Sequence, residues 1–122
     1  MRILLTLVFL CMGLVSSHAS LTGTEIKKLV TNKKVVLSRA YGKFPLRYRS
    51  NRTVTGDGSK TGLVRFFAPR ETGKWWVRGK QLCQRWPTWY DGKPFCFTVE
   101  KIGPRRIKWV RSDGYTGTAR IY

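Results

Sequence analysis

Twelve residues separate Cys83 from Cys96. That spacing matches no Cys-x-x-Cys redox pair, and no nearby histidine completes a zinc site. It fits a structural disulfide closing a loop of about 14 residues, which in the chain-entropy model stabilises a fold by roughly 3 kcal/mol. Other chemistry has few starting materials. The single histidine, His18, and the third cysteine, Cys11, both lie in the first 19 residues. No Gly-x-Ser-x-Gly elbow or phosphate-cradling glycine loop occurs. Glu71, Asp91 and Glu100 are the carboxylates that could meet across strands, as in glycoside hydrolysis. No catalytic residue, metal ligand or cofactor is expected, and a histidine-free nuclease or glycan hydrolase stands as an alternative.

Binding chemistry has more to work with. Trp75, Trp76, Trp86, Trp89, Tyr90 and Trp109 are interleaved with cations, the combination used by stacking platforms for bases or sugars. Trp75 and Trp109 alternate with charged neighbours and are expected in the core. The segment 87–94, Pro-Thr-Trp-Tyr-Asp-Gly-Lys-Pro, is instead a loop closed at its base by the cysteines, and rigidly held loops concentrate binding residues. The ligand contacts expected are Trp89 and Tyr90, with Arg85, Lys93, Arg105 and Arg106 as anion contacts. Antiparallel pairing of the Cys96 strand with 107–111 would put the Arg105-Arg106 turn at the far end of the sheet, unless barrel tilt brings it round.

Arg2, the apolar run Ile3 to Val15 and the small residues of Ser17-His18-Ala19 read as a secretory signal peptide over 1–19, too short for a membrane span. Cleavage would remove His18 and Cys11 and leave one domain over 20–122. Arg2 leaves with it, so 23 of the 24 basic residues remain against all 6 acidic ones, a net charge of +17. This far exceeds the roughly 2–8 charges that solubility needs, and export makes the Cys83–Cys96 bridge the default. The partner expected is a polyanion or anionic membrane surface outside the cytoplasm: lipopolysaccharide, acidic glycan, phospholipid or extracellular nucleic acid. The protein is read as a periplasmic or secreted, monomeric binding module, with a cationic membrane-active effector as a further alternative. Asn51-Arg52-Thr53 is a glycosylation sequon, relevant in a eukaryotic source.

The elements that must position these residues are short. Thr22 with Glu25 forms a capping box, Leu21 can staple onto Ile26, and Ile26, Leu29 and Val30 make one apolar stripe, which predicts a two-turn helix ending by Asn32. From Val35 the period changes to two. Strands are expected around Phe44–Tyr48, Val54, Leu63–Phe67, Lys74–Arg78, Phe95–Val99, Ile107–Val110 and Tyr115–Tyr122, separated by turns at Asp57-Gly58, Gly79-Lys80, Asp91-Gly92, Gly103-Pro104 and Asp113-Gly114. Seven or eight short strands in this rhythm predict a mainly β domain, an antiparallel barrel or sandwich with the helix plugging one end.

Five motifs recur in order: Leu-Thr-Gly-x-Glu-Ile at 21–26, Gly-x-Trp at 73–75, Leu-Cys-x-x-Trp at 82–86, Cys-Phe-x-Val at 96–99 and Gly-x-x-Gly-Thr-Ala at 114–119. In these the chain resembles a family of small secreted proteins, mostly alphaproteobacterial, usually described as a domain of unknown function. The resemblance implies a periplasmic β-rich domain with a disulfide between strands and supplies no catalytic residues. The chain is more basic than that family's pattern.

Overall fold

The computed structural model describes residues 20–39, 42–59 and 70–122. The segment 1–19, expected from the sequence to be a signal peptide, and the expected strand Leu63–Phe67 lie outside the described residues. The chain enters through α1 (Gly23–Val30) and continues through β1 (Lys33–Arg39), β2 (Gly42–Tyr48), β3 (Thr53–Asp57), β4 (Arg70–Arg78), β5 (Gln81–Arg85), β6 (Phe95–Gly103), β7 (Arg106–Arg111) and β8 (Thr116–Ile121). Each strand pairs antiparallel with its sequence neighbour, and β8 returns to β1, with Leu37 opposite Ala119. The mainly β expectation therefore resolves to a closed eight-stranded barrel, not a sandwich. Closure pairs every edge, the liability an open sheet would leave.

Register decides which side chains point inward, because facing residues on paired strands share a side of the sheet. Val35, Leu37 and Arg39 alternate inward on β1, and Leu37 faces Phe44 on β2. Trp75 faces Gln84, Leu82 faces Phe97, and Val99 faces Trp109. These inward residues form one core around Tyr48, Val54, Trp75, Leu82, Val99 and Ile107. Trp75 and Trp109 are both buried, as their alternation with charges requires. Cys83 and Cys96 face each other across β5 and β6 on the opposite parity, with Sγ–Sγ 2.02 Å. The disulfide thus braces the barrel wall from its outer side, with an Arg78 guanidinium nitrogen 3.8 Å from the Cys96 sulfur.

The helix closes one end. Its capping box forms as expected: the Thr22 amide donates to Glu25 Oε1 at 2.8 Å and the Glu25 amide to Thr22 Oγ1 at 3.2 Å. Main-chain bonds from Leu21 N–H to the Val99 carbonyl and from Asn32 N–H to the Tyr48 carbonyl, both 2.8 Å, pin it to β6 and β2. Ile26 and Val30 then fill the barrel end completely, at 0% and 1% exposure. A helix this short cannot hold its shape alone, so the barrel supplies its stability. Up-and-down topology puts the 49–52, 79–80 and 104–105 turns at this helix end. The 86–94 and 112–115 connections lie at the other end, the mouth.

Candidate functional site: an aromatic mouth and a cationic wall

The mouth is built by the last inward residues of the strands that reach it. A cavity of about 260 Å³ opens there, walled by Leu37, Phe44, Leu46, Phe95, Phe97 and Trp109 and by Trp86, Trp89 and Tyr90 from the 86–94 connection, with Gln84, Arg39 and Arg111 as its polar members. Two large indoles fit because glycine stands opposite them. A Cβ on Gly56 would lie 2.6 Å from the Trp89 ring and one on Gly117 2.4 Å from the Trp109 ring. Trp89 is further held edge-on to Phe44, with centroids 5.6 Å apart, and against Trp86 at 4.6 Å. Below, the Tyr48 hydroxyl donates to Gln84 Oε1 at 2.7 Å, so Gln84, the one buried polar residue among those described, is tied to a buried phenol.

The 86–94 connection is tensioned and tied. Tyr90 and Asp91 both take left-handed backbone, φ 56° and 58°, which for non-glycine residues costs of order 1–3 kcal/mol each and persists only where surroundings impose it. The Glu71 carboxylate, at the mouth end of β4, accepts from the Thr88 amide (2.8 Å), the Thr88 hydroxyl and the Trp89 amide (3.1 Å). On the other side Arg85 Nε donates to the Gly92 carbonyl at 2.8 Å. Tyr90 is left at the rim, 49% exposed, beside Phe95 and under the Arg111 guanidinium. Arg111 is in turn held by Asp113 through two 2.8 Å bonds.

Glu71 makes the tie dependent on pH. Burial alone would raise its carboxyl, but the bonds from Thr88 and Trp89 outweigh that and hold it below the ordinary value. A lowered folded pKa gives stability present above the unfolded value, about 4.3, and lost as pH falls through the folded one. The Thr88 and Trp89 amide resonances should therefore move in one titration centred below the ordinary carboxylate value and should show none in Glu71→Gln. Amide positions indifferent to both would mean that Glu71 does not hold the loop.

The expected contacts divide. Trp89 and Tyr90 do meet at the mouth, and Arg85 reaches the same loop, where it spends its Nε on the backbone. Lys93 is exposed on the loop. Arg105 and Arg106 lie at the helix end, where the Arg105 carbonyl accepts from the Ile121 amide at 2.8 Å. The barrel tilt does not bring them round to the loop. Arg39 and Arg111 were missed as inward residues, although parity with Leu37 and Trp109 carries the signal. Among the described residues no cluster of histidine, cysteine, aspartate and glutamate is placed to hold a metal.

Arg106 belongs to a different surface. On the outward parity Lys34 faces Arg47 across β1 and β2, Arg120 faces Val36 across β8 and β1, and Arg106 faces Arg120 across β7 and β8. None of these four strands contains an acidic residue. The exposed C-terminal Tyr122 lies in the middle of this wall, with Lys34 Nζ 5.7 Å from its ring centroid. Both ion pairs between described residues, Arg70–Asp57 and Arg111–Asp113, are at the mouth end instead. A third like-charge pair, Lys74 and Arg85, faces across β4 and β5.

The fold and these two surfaces define a helix-plugged up-and-down barrel with one aromatic mouth and one acid-free cationic wall. Comparison with protein-family models, characterised proteins and solved structures returned no match.

Proposed function

We propose that this barrel is an extracytoplasmic, non-enzymatic binding module whose cationic wall contacts a polyanion, such as the phosphates of lipopolysaccharide, nucleic acid or anionic phospholipid. The observation that carries the reading is the pairing of like charges. Lys34 with Arg47 and Arg106 with Arg120 stand directly opposite each other with no acid on their strands. Like charges at facing positions destabilise a sheet. Selection for solubility or for stability would interleave acids here, as mixed-sign surfaces do. A polyanion relieves the repulsion, and its counterions are released as the cations take their place. The four strands present the cations side by side at about 4.8 Å strand spacing, so one phosphate chain can meet several at once.

The test is binding of the 20–122 domain to duplex DNA, lipopolysaccharide and anionic vesicles over a salt series. Four phosphate contacts give a log–log slope near −3.6, so affinity should fall roughly a hundredfold between 50 and 200 mM salt. Binding that ignores salt, or no binding to any of the three at low salt, overturns the reading.

A further inference from the structure

We propose that the mouth cavity is a second, independent binding site, which takes a small flat apolar carboxylate with its ring system inside the barrel and its charge at the rim on Arg39. Among the described lining residues, Gln84, Arg39 and Arg111 offer the cavity donors. Gln84, 4% exposed, has its Oε1 occupied by the Tyr48 hydroxyl, which leaves its amide N–H groups as what it can offer the cavity. Trp109 forms a wall at 7% exposure, with the Nε1 edge of its indole packed on Gly117. Arg39 continues the inward parity of Val35 and Leu37, lines the cavity, and places its guanidinium 5.9 Å from the Trp109 ring centroid. Arg111 completes the rim, its charge already matched by Asp113. No acid is among the described lining residues. An apolar chamber ringed with donors and positive charge is complementary to an anion with an apolar body.

Size and wall chemistry narrow the class. A dry cavity of about 150 Å³ takes one benzene, so about 260 Å³ has room for a bicyclic ring system. Phe44, Trp86, Trp89, Phe97 and Trp109 present ring faces and edges, which favour a flat aromatic body over a flexible chain through offset and edge-on contacts. The carboxylate, drawn to Arg39, stands beside the Trp109 ring, which lies within 5.9 Å of that guanidinium. The strained Tyr90–Asp91 backbone keeps the Tyr90 ring at the rim, where it shields the same end. This site does not depend on the cationic wall, which lies on the outer surface of the barrel.

The test uses 2-naphthoate as the probe, with 2-naphthamide and decanoate as comparisons, read by calorimetry and by the indole ¹⁵N–¹H signals assigned with single Trp→Phe variants. The expected result is one-to-one binding of naphthoate, with the Trp86, Trp89 and Trp109 indole signals shifting by ring current. Naphthamide should bind at least about tenfold more weakly, and Arg39→Gln should weaken naphthoate by a similar factor, because a hydrogen bond to a charged group is lost in each case. Neutralising Lys34, Arg47, Arg106 and Arg120 should leave naphthoate affinity unchanged, which separates this site from polyanion binding. Absence of naphthoate binding at millimolar concentration, equal binding of naphthamide, or shifts confined to Trp75 would overturn the site. Tighter binding of decanoate would overturn the flat-ring assignment.

Discussion

The quadruple variant Lys34→Gln, Arg47→Gln, Arg106→Gln and Arg120→Gln is expected to lose on the order of 10³ in DNA affinity at 0.1 M salt and at the same time to melt at a higher temperature. The first half follows from counterion release: each phosphate contact removed takes about 0.9 from the salt slope, so four take about 3.6. The second half follows from register. Lys34 and Arg47 face each other, as do Arg106 and Arg120, and each such pair is destabilising by roughly 0.2–1 kcal/mol. Removing two pairs should raise Tm by about 2–16 °C in a domain of this size. A control with the same net charge, Lys27→Gln, Lys28→Gln, Lys80→Gln and Lys93→Gln, changes exposed cations off the wall and should retain most of the affinity. Equal losses in the two variants would show a diffuse field instead of a wall. A lower Tm in the first variant would remove the argument that these pairs are held against a stability cost.

What could be read in the sequence, and what could not, follows from the range of each interaction. The helix was legible because Thr22, Glu25 and the Ile26–Leu29–Val30 stripe act within one or two turns of each other. Strand parity was legible for the same reason, and it placed Trp75 and Trp109 in the core. Parity also held the clue to Arg39, two residues past inward-facing Leu37, and to Arg111, two past Trp109. Arginines at strand ends read as solvated, because the sequence alone does not say that those ends surround a cavity. Closure depends on β1 meeting β8, Val35 opposite Ile121, a pairing no local pattern encodes. The glycine slots at Gly56 and Gly117 have meaning only once an indole from another part of the chain is laid over them. Glu71 was visible as a carboxylate but not as the anchor of a loop 17 residues away. The wall of like charges likewise required the register, since Lys34 and Arg47 are neighbours only across a strand pair.

Removing the disulfide should be the most damaging covalent change. Cys83 and Cys96 lie 13 residues apart in sequence and face each other where β5 pairs with β6. Between them runs the whole 86–94 connection, which carries left-handed Tyr90 and Asp91 and supplies Trp86, Trp89 and Tyr90 to the mouth. In the double variant Cys83→Ser/Cys96→Ser the unfolded chain regains the freedom of that loop, a loss of about 3 kcal/mol in stability. Two hydroxyls also replace sulfurs at positions that are 0% and 8% exposed, which adds a desolvation penalty where they find no partner. Tm should fall by roughly 12–24 °C, and reduction of the wild-type protein should move it in the same direction. The β5–β6 ladder spans only three paired positions, Leu82 to Gln84 against Phe95 to Phe97, as short as the β1–β8 and β2–β3 ladders, so the barrel has little main-chain pairing to fall back on here. Thermal melts of the two proteins, with and without reductant, check the outcome. A double variant within about 1 kcal/mol of wild type would mean that Glu71 and Arg85 already close the loop, and that the bridge adds little to the fold it spans.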